Sequence, residues 1–294
     1  MTEIHVKVIA ASRGPLHTKP IYTVECTYPR YIHGEVLTHR VFSRNSMSSR
    51  AIPIGKVLAQ VWSDPAMPVE WGSNQPGMQA HTQLQGWRKG VAQFLWQTSA
   101  KVACVFAWGF IKVGLAKQVG NRILEPWQWM HTLITSTEWD NFFELRMHSD
   151  AQPEFRVLAA KIHRAINSCH VKFLDSHEWH LPYITTTELT DIRLGKLPED
   201  DALKMSAARC ARVSYLLHDK KEADIASDIK LFNRLVGSKP IHASPIEHQA
   251  RPAMANYRSG NFVGWRQFRQ DWQSGQPRVS EMQSFKPEED GNNF

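Results

Sequence analysis

The spacing of the apolar residues changes part-way along the chain, and this change limits the folds that the chain can adopt. Residues 4–10 (IHVKVIA) and 21–27 (IYTVECT) alternate apolar and polar side chains and are rich in β-branched residues, which is typical of strands. Residues 83–117 and 152–166 instead repeat their apolar side chains at helical spacing. The sequence therefore predicts two strands paired as a hairpin, followed by a layer of helices.

Glycine and proline residues indicate where bends and loops occur in the rest of the chain. Residues 83–117 contain Gly86, Gly90 and Gly109, so one long helix and two helices joined by a bend both remain open. Residues 63–80 hold three prolines and two glycines, which predicts an irregular surface loop. Shorter patterns predict helices over residues 32–43, 126–133 and 227–237, and a polar loop over residues 43–50.

Charge and cysteine content limit the functional class. The formal net charge of +7 favours anionic partners, and the basic residues are spread along the chain, which favours small phosphorylated ligands over a nucleic-acid groove. The four cysteines form no Cys-x-x-Cys pair, so we expect free thiols in a reducing compartment and no metal site. The chain has no secretory signal and no uninterrupted apolar run of the roughly 18 residues that span a membrane, so we expect a soluble, cytoplasmic protein without membrane contact. A basic nucleic-acid-binding module remains the alternative from another functional class.

The segment from Thr38 to Arg50 has the composition of an anion site. It contains three arginines, a histidine, an asparagine and four serines within thirteen residues. Arginine forks bind phosphate oxygens bidentately, and serine hydroxyls with turn N–H groups complete such a site. The segment is therefore suited to a nucleotide phosphate or a dinucleotide pyrophosphate, although a solvated polar loop would have a similar composition.

The spacing within this segment resembles that of the flavin-dependent thymidylate synthases. The family signature is Arg-His-Arg, seven residues and then Ser, with Asn-Glu inside and Arg two places after the Ser. This chain has Thr38-His39-Arg40, seven residues and Ser48, with Asn45-Ser46 inside and Arg50 beyond. Thr38 replaces the usual first Arg and Ser46 replaces the usual Glu, which raises the question of a different base or product.

A second segment matches another part of that family's pattern. Asn141-Phe142, two residues and Leu145-Arg146 are followed by Ala151-Gln152-Pro153-Glu154. By resemblance, Arg146 contacts the uracil and favours ionisation at N3, Arg122 binds the nucleotide, and Asn141 helps to hold FAD. Without the resemblance, an arginine on a helix is more often a surface ion-pair donor.

A third segment resembles the part with which the family usually begins, but it lies near the C-terminus of this chain. The sequence from Ala207 to Tyr215 resembles Ala-Ala-Arg-x-Cys-Tyr, and His242-Ala-Ser244-Pro-Ile-Glu247-His248 resembles Gly-His-x-Ser-x-x-Glu-His. This order indicates a circular permutation, which a fold tolerates when its original termini lie close together. His242 and His248 could alternatively be hydrogen-bonded structural histidines.

The resemblance implies an α+β fold with a central antiparallel sheet flanked by helices. It implies one catalytic domain over residues 1–283, with a motif segment at 30–50, a helical segment at 83–168 and a permuted segment at 203–265, before a flexible tail at 284–294. It further implies a homotetramer whose sites lie between subunits.

The implied reaction is methylation of dUMP at C5, giving dTMP, with methylenetetrahydrofolate as carbon donor, FAD as cofactor and NADPH as reductant. Because Thr38 and Ser46 differ from the family's usual Arg and Glu, methylation or hydroxymethylation of another pyrimidine nucleotide is an alternative reaction. The residues implied to bind the nucleotide are Glu35, Ser46, Met47, Ser48, Ser49, Arg50, Arg122 and Arg146, the last being catalytic, and those implied to bind FAD are Thr38, His39, Arg40, Ser46, Asn141 and His248.

Overall fold

A five-stranded sheet with the strand order β3-β4-β2-β1-β5 forms the centre of the protein. The computed structural model describes residues 2–15, 18–77, 79–215 and 224–275, so the tail predicted at 284–294 lies outside the described residues. The sheet strands are β1 (His5–Arg13), β2 (Ile21–Pro29), β3 (Ser43–Ser46), β4 (Trp129–Ser136) and β5 (Lys172–Phe173).

The pairing of β1 with β2 confirms the strands that the alternation predicts. The two strands are antiparallel, with His5 opposite Thr27 and Ser12 opposite Ile21. β4 continues the antiparallel pairing on the other side of β2, and β3 pairs antiparallel with β4. At the opposite edge, however, β5 runs parallel to β1. The sheet is therefore mixed, and the prediction of a purely antiparallel sheet is wrong at this short edge strand.

The helix predicted up to Leu133 is wrong, because that stretch is the central strand β4. A 3-10 turn spans Asn121–Trp127 and includes Pro126, and the strand follows it. β4 is covered on both faces, so nearly all of its side chains are buried. A strand of this kind has a continuous apolar pattern that cannot be distinguished by periodicity from a short buried helix. The polar loop predicted from residue 43 likewise begins with a strand, β3.

The helices of the middle of the chain follow the predictions more closely. Phe155, Leu158, Ala159 and Ile162 are all fully buried on one side of the predicted helix over 152–166. The segment predicted as one or two helices is a single helix of 27 residues. The helices are α1 (His33–Leu37), α2 (Ile54–Ser63), α3 (Gly86–Lys112), α4 (Lys117–Gly120), α5 (Asp140–Arg146), α6 (Pro153–Ser168), α7 (Thr186–Arg193), α8 (Glu199–Arg212), α9 (Ile225–Leu235) and α10 (Phe268–Ser274).

The described residues form four hydrophobic clusters, and the two with the most residues stabilise these layers. The larger one lies between the sheet and helices α2, α3 and α6. The smaller one joins α8, α9 and α10, and includes Phe232 and Phe268. Two short antiparallel pairs lie near the C-terminal end of the described chain: β6 (Ala250–Pro252) with β9 (Trp265–Gln267), and β7 (Arg258–Ser259) with β8 (Phe262–Val263).

One described helix, α3, is long and apolar enough to cross a membrane by length and composition alone. Only 22% of its most apolar 18-residue window is buried inside the protein. The sequence analysis did not detect this feature, because isolated polar residues such as Lys101 and Lys112 interrupt the apolar run.

Candidate functional site

Arg146, the last residue of α5, is held by side chains from the segment that precedes β3. Its Nε donates a hydrogen bond to Nε2 of His39 over 2.9 Å, and its Nη2 donates to Oγ1 of Thr38 over 3.3 Å. A carboxylate oxygen of Glu35 lies 3.6 Å from Nη1. The guanidinium also lies 4.5 Å above the ring of Phe155, where a cation is attracted by the aromatic face. Two segments that are about a hundred residues apart in sequence thus meet at one arginine.

The imidazole of His39 is neutral and has a defined tautomer. Burial, together with the nearby charges of Arg146 and Arg44, lowers the pKa of His39 from 6.5 to about 4. Because a guanidinium N–H only donates, Nε2 of His39 must accept, and the ring proton lies on Nδ1. The ring packs edge-on against Phe142, with centroids 5.0 Å apart. His39 therefore orients Arg146 without adding charge.

A cleft with a volume of about 660 Å³ contains Ser48 and Arg50, and we call it the Arg50 cleft. Lys117 and His242 also line it. The backbone N–H of Ser48 donates to the carbonyl oxygen of Ser214 over 3.0 Å, which joins the first motif segment to the permuted one. Two cationic side chains, hydroxyls and an imidazole at one cleft form a donor set that suits a phosphate group.

Asn45 gives this cleft an unused donor. Its side chain is buried and lines the Arg50 cleft, and its Nδ2 has no hydrogen-bond partner among the described residues. A buried amide nitrogen without a partner costs about 1–3 kcal/mol, and a bound acceptor would remove that cost. Asn45 therefore supports the Arg50 cleft as a ligand site.

A second cleft, of about 500 Å³, is lined by Arg40, Arg44 and Arg269, and we call it the Arg44 cleft. Glu247 is an acidic residue in its lining, and it forms an ion pair with Arg269. Nη1 of Arg44 donates to two main-chain carbonyls, those of Val36 and His39, so this guanidinium is fixed in place. The excess of positive charge suits an anionic ligand.

His248 lies in a buried hydrogen-bond chain that crosses the sheet. Its Nδ1 is 2.7 Å from Oγ1 of Thr135, which is 2.7 Å from Oγ1 of Thr23. Thr23 Oγ1 is 2.8 Å from Nε2 of His180, whose Nδ1 is 2.9 Å from Oγ of Ser12. Burial lowers the pKa of both histidines to about 3. The structural alternative for His248 therefore has direct support, while Nε2 of His248 is buried and has no hydrogen-bond partner among the residues that the structure describes.

Several predicted site residues lie away from this arrangement. Arg122 is exposed and pairs with Glu125 over 2.8 Å. Met47 belongs to the hydrophobic core, so a nucleotide could reach only its backbone. Ser49 is buried beside Asn121, whose side-chain amide donates to the Ser49 carbonyl oxygen over 2.8 Å.

Ser46 and Asn141 lie on different elements, strand β3 and helix α5. The hydroxyl of Ser46 accepts a hydrogen bond from Thr132 over 3.1 Å, inside the sheet. Asn141 is exposed in the first turn of α5, on the same helix as Arg146. The ligand contacts predicted for both residues remain predictions.

The sequence analysis missed Arg44 and Arg269 as lining residues of a cleft. Arg44 lies inside the first motif segment, between the family positions, and its basic character was the available signal. Arg269 gave no local signal, because it reaches the cleft only through the fold of the C-terminal end. A separate, mainly apolar cavity of about 500 Å³, lined by Ile4, Met67 and Trp129 among others, contains none of the predicted site residues.

No protein-family model and no curated protein sequence matches this chain. Among solved structures, it is similar to the UMP/dUMP methylase PolB from Streptomyces cacaoi bound with 5-Br dUMP. The sequence identity is 13% and the TM-score is 0.46, and the match covers 56% of this chain and 90% of the methylase chain. The same methylase bound with 5-Br UMP matches with 14% identity and a TM-score of 0.48, covering 56% and 89%. Likenesses at this level define neither the fold nor the function of this chain.

Proposed function

We propose that this protein is a flavin-dependent thymidylate synthase that methylates dUMP at C5, with a circularly permuted sequence. The observation that carries the proposal is the hydrogen bond from Arg146 to His39, because it joins two motif segments that the resemblance alone relates. The permuted segment contacts the first motif segment through Ser214 and Ser48, and it contacts strand β4 through His248 and Thr135. Chance matches to the motifs would not be expected to place these segments in contact with one another.

In this proposal the Arg50 cleft binds the nucleotide phosphate. Arg50 and Lys117 provide charge, Ser48 provides a hydroxyl, and the unpaired Nδ2 of Asn45 provides a further donor. Arg146 then acts on the pyrimidine ring, where a fixed guanidinium stabilises the negative charge that develops on ionisation at N3. Because His39 already holds Arg146 in position, the guanidinium needs little reorientation when charge develops on the pyrimidine.

The residues of the Arg44 cleft fit a group that carries phosphates. Three arginines against one paired carboxylate are a donor set for a pyrophosphate, and Arg40 is among the residues that the resemblance assigns to FAD. We propose that Arg40 and Arg44 hold FAD there. When bound, FAD supplies the hydride that completes the methyl group, with NADPH as its reductant and methylenetetrahydrofolate as the carbon donor.

The proposal includes one catalytic domain over residues 1–283, a homotetramer and a cytoplasmic location. A related activity on another pyrimidine nucleotide, or a hydroxymethyl product, is the second candidate. It is favoured by Thr38, whose hydroxyl is used in contacts with Arg146 and with the Glu35 carbonyl, where the family has an arginine. A threonine cannot make the bidentate contacts of an arginine, so the ligand contacts at this position must differ.

A product analysis tests the proposal. The protein is incubated anaerobically with FAD, NADPH, methylenetetrahydrofolate and either dUMP, UMP or dCMP, and each nucleotide is analysed by mass spectrometry. Formation of dTMP from dUMP supports the proposal. A hydroxymethylated product, or turnover only of UMP or dCMP, selects the second candidate. If none of the nucleotides changes and FAD does not bind, the family assignment is wrong.

A further inference from the structure

Helix α3 carries large apolar side chains on the side that faces away from the protein. Phe94 is 64% exposed and Val105 is 60% exposed, whereas residues of these types are normally buried. The opposite side of the helix is packed through small buried residues, among them Ala100 and Ala107. The residues on the outward side, which we call the α3 face, are Trp87, Val91, Phe94, Leu95, Thr98, Val102, Val105, Phe106 and Gly109.

A line of uncharged residues runs along the middle of this face, and we call it the seam. Its members follow one another at alternating steps of four and three residues. An average step of 3.5 residues is close to one turn of an α-helix, so these residues stay on one side along the whole helix. This is also the spacing at which one helix packs along another. The seam consists of Val91, Leu95, Thr98, Val102, Val105 and Gly109.

The α3 face is large for the surface of a monomer. Its seven large apolar side chains are between 46% and 75% exposed. If each contributes roughly 100 Å², the exposed apolar patch covers roughly 700 Å². The largest apolar patch on a typical monomer covers roughly 300–600 Å². Each partner in a stable interface contributes roughly 800 Å², so the α3 face has about the area that a stable protein interface needs.

The packing of its own chain does not require the glycine at the end of the seam. A Cβ atom at Gly109 would meet no heavy atom within 4 Å. The residue also lies inside α3, where glycine is less favourable than alanine. A position that is open in the chain itself is available to a side chain of a partner.

An antiparallel pair of α3 helices, related by a two-fold axis at Thr98, brings residues of complementary size together. In this arrangement each residue lies level with the residue of the second copy that is equally far from Thr98 on the other side. Gly109 then lies level with Trp87 of the second copy, and Val105 lies level with Val91. The glycine leaves room for the tryptophan ring, and the two valines continue the apolar contact.

The same arrangement keeps the basic residues of α3 apart. The helix contains no aspartate or glutamate, so like charges placed side by side would not be compensated within the helix pair. No basic residue of α3 lies level with another one. The residues of the second copy at the same levels are Trp108 for Arg88, Ala107 for Lys89, Leu95 for Lys101 and Leu84 for Lys112.

We propose that α3 is a subunit interface, at which it pairs antiparallel with α3 of a second copy of this chain. A lipid surface is a poorer partner, because the four basic residues are spread around α3 and no strongly charged side opposes the apolar one. A helix that is apolar on most of its sides is typical of a helix buried on most of its sides. The pair provides one two-fold contact of the proposed homotetramer, and it does not depend on the proposed reaction.

A disulfide at the two-fold axis tests the proposed pairing. When two helices pack about 8–10 Å apart, a residue on the axis has its Cα roughly 4–6 Å from that of its own equivalent, which a disulfide can span. We therefore expect Thr98→Cys to form a covalent dimer under mild oxidation. Gln97→Cys is the control, because Gln97 is also exposed but lies on the side of α3 that lines the cavity beside Lys101. We expect this control to form no more covalent dimer than the unaltered protein.

Two glycine variants separate assembly from the stability of the helix. Gly109→Leu fills the space level with Trp87, so we expect the dissociation constant of the oligomer, measured by sedimentation equilibrium, to rise at least about tenfold. Gly90→Leu is the matched control, because a Cβ at Gly90 also meets nothing within 4 Å and the residue lies on α3 away from the seam. Both variants should keep their helix content in circular dichroism, since leucine favours a helix more than glycine does.

Three results would overturn the proposal. The first is an unaltered protein that is monomeric at concentrations in the micromolar range. The second is equal cross-linking of Thr98→Cys and Gln97→Cys. The third is a dissociation constant that is the same in Gly109→Leu and Gly90→Leu.

These measurements do not use turnover, so they are independent of the proposed function. A protein that assembles through α3 but methylates no nucleotide would contradict the proposed function alone. A monomeric protein that forms dTMP would contradict the α3 interface and leave the proposed reaction in place.

Discussion

The Nε–H of Arg146 donates to Nε2 of His39 across 2.9 Å, and this bond fixes both the direction of the guanidinium and the tautomer of the imidazole. The two residues come from different motif segments, which lie on opposite sides of the long helix α3 in the sequence. The proposed reaction depends on this bond because the arginine has to be in place before charge develops on the pyrimidine.

Replacing Arg146 by alanine tests its role in the reaction. We expect kcat/KM for dUMP to fall by about 100-fold or more, roughly 2.7 kcal/mol, with little change in thermal stability. Arg156→Ala is the matched control, since its side chain is similarly exposed and bonds to Glu70 and to the Ser149 carbonyl outside the site. Equal losses of activity in the two variants would argue that Arg146 acts only through the fold.

Substitutions of His39 test how it positions the arginine. Glutamine keeps an oxygen that can accept from Arg146, whereas leucine keeps a similar volume but no acceptor. We expect His39→Leu to lower kcat by about tenfold or more and His39→Gln to recover most of that loss. If both variants have the same activity, the hydrogen bond does not position Arg146 for catalysis.

The buried histidines predict how stability depends on pH. The pKa values of His180 and His248 are about 3 in the folded protein, below their ordinary 6.5. Between these values the unfolded chain binds protons that the folded protein does not, so stability is fully present above pH 6.5 and is lost as the pH falls towards 3. Each histidine contributes a slope of about 1.4 kcal/mol per pH unit in that range.

Urea denaturation at a series of pH values measures this slope. His180→Gln removes one of the histidines that titrate in this range and can still hydrogen-bond to Thr23 or Ser12, so its slope should be smaller than that of the unaltered protein. A stability that does not change between pH 6.5 and 4 would contradict the assignment of neutral, buried histidines.

The ion-pair network at Arg209 predicts a large effect on stability. Arg209 on α8 binds Asp228 of α9 over 2.8 Å and Glu188 of α7 over 2.7 Å, and the side chain of Asp228 is fully buried. Arg209→Leu removes a positive charge that pairs with both carboxylates. We therefore expect the free energy of unfolding to fall by about 3–5 kcal/mol. Arg193→Leu, which breaks an exposed pair with Glu178, should cost about 1 kcal/mol or less. Comparable losses would mean that the network does not hold the three helices together.

The sequence predicted the elements whose patterns are local. The alternation over residues 4–10 and 21–27 identified β1 and β2, and the helical period over 152–166 identified the buried side of α6. β4 was mistaken for a helix because a strand buried on both faces has no alternation. The short edge strand β5 pairs with β1 through only two residues on each strand, which gives no pattern in the sequence.

Single residues of the candidate site could be predicted from the sequence, but their positions relative to one another could not. The motif spacing identified His39, Ser48 and Arg146 one by one, yet their relation depends on long-range packing that periodicity does not report. Arg269 reaches the Arg44 cleft from helix α10, and nothing near it in the sequence points to Arg44. The exposure of large apolar side chains on α3, such as Phe94 and Val105, was also unpredictable, because which side of an apolar helix is covered depends on its tertiary neighbours.

Release of tritium from dUMP labelled at C5 tests the central claim most directly, because methylation at C5 must break that carbon–hydrogen bond. The protein is incubated anaerobically with the labelled nucleotide, FAD, NADPH and methylenetetrahydrofolate, and tritium is counted in the water. Our account predicts release that requires methylenetetrahydrofolate and is reduced about 100-fold or more in Arg146→Ala. If the protein binds dUMP and FAD but releases no tritium, the proposed reaction at C5 is contradicted.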